Sequence, residues 1–339
     1  MSNALSSWTD AAGKNPVLGF IDINLRGAGQ VIFQNNPLTG LFFLAAIVWG
    51  AIAGGQIDIA IGAIVALVVA TVTAMLLDAD KASLDQGLFG FNGVLVGAAV
   101  PTFLANGATM WFILLVGAAV STVVMLAVSK VMKTWEAPAL TFPFVLTTWF
   151  LVLGAYSFGQ VPIASMGPPA LPHTVAGGVE SAANATELFL AWLKGPAQVF
   201  LINNPVSGVL VLIGLLVSSP WAAGLAALGA AVALAVSLAL GASLSAVTAG
   251  LYGFSPVLTA VALGCVFYTP STRVLAFALL GTIFTVIVQG AMDAGLAPLG
   301  IPTFTAPFVF VTWLFLLPKA DLKPHPHAPI QGGLFKKKP

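Results

Sequence analysis

PALTFPFVLTTW, at residues 138–149, recurs as PTFTAPFVFVTW at residues 302–313. The two stretches share Pro, Thr, Pro, Phe, Thr and Trp in register, so they form an internal repeat. Each begins an apolar run and places a proline and a threonine hydroxyl inside it, where a membrane helix would otherwise hydrogen-bond only to itself. The repeat therefore predicts two copies of one fold, each with an interrupted membrane helix.

The composition is typical of a polytopic membrane protein. Of the 339 residues, 59% are hydrophobic and only 7% are charged, whereas a soluble domain has about 25% charged residues. The formal net charge of +1 gives no indication of a nucleic-acid partner. The single cysteine, Cys265, lies in an apolar run and is interpreted as a buried core residue.

Ten apolar runs are long enough to cross the hydrocarbon core as helices, which takes about 20 residues or slightly fewer. They lie at residues 37–54, 59–77, 88–104, 108–128 and 138–158 in the first half, and at 205–218, 221–240, 251–267, 274–292 and 302–317 in the second. A shorter, semi-polar lead precedes each set, at residues 17–36 and 186–204. Each lead is too polar to span the membrane, and we predict that it forms a re-entrant half-helix.

The leads and the third spans also repeat. GQVIFQNNPLTG at residues 29–40 matches AQVFLINNPVSG at 197–208, and GLFGFNGVLVG at 87–97 matches GLYGFSPVLTA at 250–260. Because five crossings is an odd number, the second copy must enter the membrane from the opposite side, which makes the repeat inverted. With the N-terminus in the cytoplasm, eleven of the twelve basic residues fall inside and only Lys194 falls outside.

The sequence thus predicts an all-α polytopic membrane protein of two inverted repeats, each with five transmembrane helices and one re-entrant half-helix. The first repeat is predicted at residues 17–158 and the second at 184–318. A connector at residues 159–183 joins them, and residues 319–339 form a cytoplasmic tail.

Charge is absent from the interiors of the ten predicted spans. Asp58, Asp78, Arg273 and Asp293 stand at span ends. Proton relays and ion-coupled carriers usually place ionisable groups in the membrane, and embedded hydrolases need a general base, a metal set or an activated nucleophile. We therefore predict a protein that is not an enzyme, with no catalytic residue, metal or cofactor, and that serves an uncharged solute.

The polar groups that remain in or near the spans are neutral and occur in pairs between the halves. They are Gln30 and Gln198, Asn35 and Asn203, Asn36 and Asn204, Asn92 and Ser255, and Thr141 and Thr305. The asparagines beside prolines are interpreted as turn-stabilising groups, and the glutamines as pore-lining groups. The threonines stay open between lining a pore and bonding a carbonyl one turn earlier.

These residues resemble the urea transporter family. The motif Pro-x-x-Thr-x-Pro-Phe at 138–144 and again at 302–308 is similar to its signature, and the Asn-Asn-Pro leads and third spans agree over residues 17–318. The resemblance implies a facilitative, channel-like urea pathway in each protomer of a homotrimer. It also implies a location in the inner (plasma) membrane, in contact with lipid and with both termini cytoplasmic.

The resemblance further implies a set of solute-contacting residues. Two slots would be lined by Phe33, Phe91 and Leu95 in one half and by Leu201, Phe254 and Leu258 in the other. Gln30 and Gln198 would be acceptors at the slot edges. The central constriction would be formed by Thr141, Thr305, Val31 and Val199. Leu201 departs from symmetry with Phe33, so we expect its slot to hold a solute less firmly. Ala137 stands where a leucine before the proline is usual, and both glutamine positions are carboxamides where some members carry a carboxylate.

Two alternatives stay open at this point. The pore could serve related neutral solutes such as acetamide, formamide, ammonia or water, which competition with urea would reveal. An ion-coupled carrier would depend on a sodium or proton gradient, and the charge-free spans disfavour it.

Overall fold

The computed structural model describes residues 2–166, 183–318 and 322–326. Within these residues the regular elements are helices, and the β-structure consists of isolated bridges. The α-helices are α1 (Ser2–Lys14), α2 (Pro16–Gln30), α3 (Pro37–Ala53), α4 (Ile57–Leu76), α5 (Lys81–Asp85), α6 (Gly90–Phe103), α7 (Ala108–Met132), α8 (Phe142–Ala155), α9 (Ala185–Gln198), α10 (Pro205–Ser218), α11 (Pro220–Ala239), α12 (Leu244–Thr248), α13 (Phe254–Val261), α14 (Thr272–Leu296) and α15 (Ala306–Leu316). The prediction of an all-α polytopic membrane protein is confirmed.

Four helices in the described residues are long and apolar enough to cross a membrane. They cover Ile57–Leu76, Ala108–Trp135, Pro220–Ala239 and Thr272–Leu299. The other six predicted spans are apolar helices of 10–17 residues, and α13 reaches this length because a π-helical segment, Ala262–Val266, continues it. The signature stretches explain two of these short helices, because residues 138–141 and 302–305 are non-helical and α8 and α15 begin only after them.

Helix α1 was not predicted. It packs against α2, and the indole Nε1 of Trp8 donates a hydrogen bond of 2.7 Å to Oδ1 of Asp22. Asp22 also pairs with Arg26 one turn later, at 2.6 Å. The predicted lead is therefore anchored by a preceding helix, and the boundary between the two falls at Asn15, whose side chain caps α2.

Asparagine caps followed by proline begin several helices. Oδ1 of Asn36 accepts hydrogen bonds from the backbone amides of Leu38 (2.9 Å) and Thr39 (3.3 Å) at the start of α3. Asn204 caps α10 in the same way. Proline has no backbone N–H. At the first position of a helix that N–H would have no helical partner, so proline is tolerated there. The interpretation that these two asparagines stabilise turns is confirmed.

Reciprocal hydrogen bonds join the two signature stretches. Nε1 of Trp149 donates to the carbonyl oxygen of Pro302 at 3.0 Å, and Nε1 of Trp313 donates to the carbonyl oxygen of Pro138 at 2.8 Å. Each tryptophan thus bonds the stretch of the other copy. Exchanged contacts of this kind relate two copies by an approximate two-fold axis.

Helices α3 and α10 meet across the same axis. Oγ1 of Thr39 donates to the carbonyl oxygen of Gly214 at 2.8 Å, and Oγ of Ser207 donates to that of Ala46 at 2.7 Å. Thr39 and Ser207 occupy matching positions of the Asn-Asn-Pro repeats, as do Ala46 and Gly214 in the helices that follow. The helix after each lead therefore packs on its counterpart.

Glycine allows the close crossing of each lead helix and the helix after it. A Cβ atom at Gly40 of α3 would overlap the carbonyl oxygen of Leu25 in α2. The same overlap would occur between Gly208 of α10 and Leu193 of α9. Small residues permit such close backbone approach between membrane helices.

Short backbone bridges follow both signature helices. The amide of Ala105 donates to the oxygen of Pro162 at 2.8 Å, and in the second copy the amide of Thr269 donates to the oxygen of Lys323 at 2.9 Å. Residues 159–166 of the predicted connector and 322–326 of the predicted tail belong to these bridges and their surroundings. Most of both segments lies outside the described residues.

Candidate functional site

The threonines of the two signature stretches contact each other between the two repeats. Their Oγ1 atoms lie 2.6 Å apart, and Thr141 and Thr305 are only 3% and 2% exposed. Each threonine precedes a helix, α8 or α15, with φ of −91° or −87°. Each hydroxyl therefore bonds the other copy instead of a carbonyl of its own helix.

A small pocket borders this contact on the side of the first repeat. Its lining consists of Gln30, Val31, Phe33, Leu88, Phe91, Leu140 and Thr141. Five of these seven residues were predicted from the sequence. Leu88 and Leu140 were not predicted, although each lies inside a repeated motif, beside the glycine turn or the signature threonine.

Backbone geometry sets the position of Phe33. Its φ of 61° is in the left-handed region, which few residues other than glycine adopt. The turn follows directly from the end of α2, where amides of residues 31–34 bond carbonyls at the helix end. The chain therefore leaves the helix sharply, and the Phe33 ring lines the pocket together with that of Phe91.

The two predicted glutamines make equivalent hydrogen bonds. Nε2 of Gln30 donates to the carbonyl oxygen of Gln86 at 2.9 Å, and Nε2 of Gln198 donates to that of Ala249 at 2.8 Å. Both acceptors lie in the loop before the third span of the same repeat. With the amide nitrogen engaged, the carboxamide oxygen of each glutamine is the group that remains to accept a hydrogen bond from a solute.

The second half places its predicted residues in matching elements. Gln198 ends α9, and Val199 and Leu201 follow it, with φ of 59° at Leu201, close to the 61° of Phe33. Phe254 begins α13, and Leu258 lies one turn further along, fully buried. Leu95 of α6 is likewise fully buried, and it lies one turn beyond Phe91 and outside the pocket lining.

The charged residues predicted at the ends of one span, Arg273 and Asp293, lie outside the lining of the described pocket. Helix α14 is longer than the apolar run predicted for it, because its end turns extend past the hydrophobic segment and include Arg273 and Asp293. Asp293 accepts a hydrogen bond of 3.0 Å from Nε2 of Gln289, which also bonds Oγ1 of Thr303 at 2.7 Å. The seven pocket residues themselves are neutral. The pocket can thus offer a solute hydrogen-bonding oxygens and ring faces without charge.

Comparisons with known proteins point to one family. The family model described as Urea transporter matches residues 21–320. Urea transporter 1 of Capra hircus is 31% identical over 320 residues, which cover 90% of this chain and 78% of that protein. Urea transporter 1 of Rattus norvegicus is 30% identical over 313 residues with the same coverage, and that of Mus musculus is 31% identical over 313 residues.

Proposed function

The chain belongs to the urea transporter family, and we propose that urea crosses the membrane passively through a narrow passage where its two repeats meet. The protein is a multi-pass membrane transporter and not an enzyme. One observation carries the proposed location of the passage. The buried Thr141–Thr305 contact, at 2.6 Å, joins the two copies beside the neutral pocket, whose lining includes Thr141.

Urea fits the chemistry of this pocket. The molecule is flat and uncharged, with four N–H donors at its edges and one oxygen acceptor. Permeation requires that groups of the protein replace the water that urea loses. The carboxamide oxygen of Gln30 and the hydroxyl of Thr141 can accept from the edges, while the rings of Phe33 and Phe91 can contact the faces.

The threonine pair has to separate while a solute passes. The two hydroxyls bond each other at 2.6 Å, which leaves no room for a solute between them in this arrangement. A hydroxyl can rotate to donate to the urea oxygen or accept from a urea N–H, so the solute exchanges one hydrogen bond for others of similar strength. Such an exchange keeps the barrier low without any ionised group.

The proposed solute-contacting set extends over both repeats. It comprises Gln30, Val31, Phe33, Phe91, Leu95, Thr141, Gln198, Val199, Leu201, Phe254, Leu258 and Thr305. Their equivalent backbone positions support a pathway that continues from the first repeat through the threonines into the second. We place the repeats in opposite orientations in the plasma membrane, with cytoplasmic termini and with three protomers in a homotrimer, each holding its own pathway.

Reconstitution tests the proposal directly. Purified full-length protein in proteoliposomes should accelerate the light-scattering change in a stopped-flow urea gradient relative to protein-free liposomes. The rate should not depend on a sodium or proton gradient. Parallel gradients of acetamide, formamide and ammonia would rank the solutes. A folded protein whose vesicles respond to urea no faster than empty ones would contradict the proposal.

A further inference from the structure

Four residues near the threonine pair have left-handed backbone, and they form two equivalent pairs. Phe33 (φ 61°) corresponds to Leu201 (φ 59°) after the lead helices, and Leu140 (φ 54°) corresponds to Phe304 (φ 49°) before the threonines. Such angles are rare for residues other than glycine, so they fix side-chain direction closely. Each pair contains one phenylalanine and one leucine, with the two exchanged between the repeats.

The Phe33 ring is held by two rings of the second repeat. Its centroid lies 5.8 Å from that of Phe267, at an interplanar angle of 79°, and 6.0 Å from that of Phe308, at 68°. Both contacts are edge-to-face arrangements, which aromatic pairs favour. Phe33 thus crosses from its own repeat to pack on the other, and its remaining surface lines the pocket.

The Phe304 ring makes the equivalent contacts with the first repeat. Its centroid lies 5.6 Å from that of Phe103, at 79°, and 5.1 Å from that of Phe144, at 62°. Phe103 and Phe144 each lie 164 residues before the two rings that hold Phe33, so they are their counterparts. Leu201 is the counterpart of Phe33, so the symmetry of the repeats predicts that its side chain contacts Phe103 and Phe144. Phe304 therefore packs on the ring pair that would receive an aromatic residue at position 201.

We propose that Phe304 is a solute-contacting residue and that, with Phe254, it forms the pair of rings that the first repeat builds from Phe33 and Phe91. The inference rests on the proposed urea pathway. Leu140 is the counterpart of Phe304 in the first repeat, and it lines the pocket beside Thr141. The exposed fraction of Phe304 is 5%, between the 4% of Phe91 and the 9% of Phe254. Each slot then has two rings and one leucine at these positions, and the slot with Leu201 is not deficient in aromatic surface.

The proposal predicts a specific effect of replacing Phe304 on urea permeability, because a phenylalanine ring offers a flat face and leucine does not. Phe304→Leu removes one wall of the second slot, and the urea permeability should fall by about threefold to tenfold, the loss expected for one aromatic contact. Adding Leu201→Phe to that variant gives the second slot the residues of the first. The double variant L201F/F304L should therefore recover a urea permeability within about twofold of the original protein.

The test compares the original protein, F304L and L201F/F304L in proteoliposomes, with urea permeability normalised to folded protein and melting temperature measured on the same samples. The matched control is Phe277→Leu, which removes a ring that also contacts two others, Tyr268 and Phe315, but lies outside the pocket lining; it should conduct within about twofold of the original. The double variant keeps the number of rings, so it remains informative if F304L folds poorly.

Recovery of permeability in L201F/F304L, after a loss in F304L, would support the assignment of Phe304 to the slot. If the original protein conducts urea and F304L conducts equally well per folded molecule, Phe304 only packs and the inference is wrong. Loss in F304L that L201F fails to recover would also overturn it. If the original protein does not conduct urea, the proposed function fails and this inference fails with it.

Discussion

Replacement of the central threonines by valine is the most direct test of the pathway. Valine has nearly the volume of threonine and lacks only the hydroxyl, so Thr141→Val and Thr305→Val remove oxygen atoms while keeping the width of the constriction. The two Oγ1 atoms lie 2.6 Å apart and are almost fully buried. A solute that passes between them must use these hydroxyls in place of water.

The expected loss of flux follows from the value of one hydrogen bond. A neutral hydrogen bond contributes about 1 kcal/mol net, and 1.36 kcal/mol corresponds to a tenfold change in rate. Each single variant should therefore lower the urea permeability about fivefold. The double variant T141V/T305V should lower it about thirtyfold if the two hydroxyls act independently.

The melting temperature should rank the three variants differently from the urea permeability. In each single variant the remaining buried hydroxyl loses its partner, which costs about 1–3 kcal/mol, whereas replacing both partners by apolar groups is nearly neutral. The melting temperature should thus be lowest in the single variants, while the permeability is lowest in the double variant. A purely structural role for the threonines would make permeability follow stability.

Both rankings can be measured on the same preparations, with stopped-flow urea flux for the permeability and thermal unfolding in detergent for the melting temperature. Thr282→Val is a suitable control, since Thr282 is fully buried and its hydroxyl bonds the carbonyl oxygen of Ala278 within α14. This control should leave flux unchanged. A folded T141V/T305V protein with the original urea permeability would refute the placement of the pathway at the threonine pair.

Three further changes have expected outcomes. Phe91→Trp enlarges a ring that lines the pocket and should reduce urea flux to near the liposome background; normal flux would remove Phe91 from the pathway. Gln30→Leu removes the carboxamide oxygen and should lower urea permeability about fivefold, so an unchanged rate would assign Gln30 to loop stabilisation alone. Asn36→Ala removes the cap of α3 and should lower stability by about 0.5–2 kcal/mol, with flux per folded molecule retained; an unchanged melting temperature in detergent would contradict the role of this cap.

Residues that recur in register could be predicted from the sequence. The correspondence of Thr141 with Thr305 and the caps at Asn36 and Asn204 follow from duplicated motifs, because each copy specifies the same local backbone. Hydropathy also located the spans, although it could not show that α15 begins only at Ala306. The start of this helix is set by the non-helical backbone of the signature stretch, whereas hydropathy measures only apolar content.

Residues whose placement depends on the other repeat could not be predicted. Leu140 and Phe304 have left-handed backbone, which their residue types disfavour, so tertiary packing has to impose it. The sequence suggested that the slot of Leu201 has one ring fewer than the slot of Phe33, because it gave no sign that Phe304 packs on Phe103 and Phe144. Helix α1 was missed for a related reason, since it is anchored by contacts such as that of Trp8 with Asp22 in the next helix.

The two chain breaks depend on each other for stability. A break in a membrane helix leaves backbone groups that lipid cannot satisfy, so protein or a polar cavity must do so. Here the carbonyl oxygen of Pro138 accepts from Trp313 and that of Pro302 accepts from Trp149, so each repeat satisfies the break of the other. The same arrangement brings uncharged polar groups together between the copies. The same breaks place the uncharged hydroxyls of Thr141 and Thr305 side by side between the copies, so the proposed pathway obtains groups that can replace the hydration of a neutral solute without any charged residue.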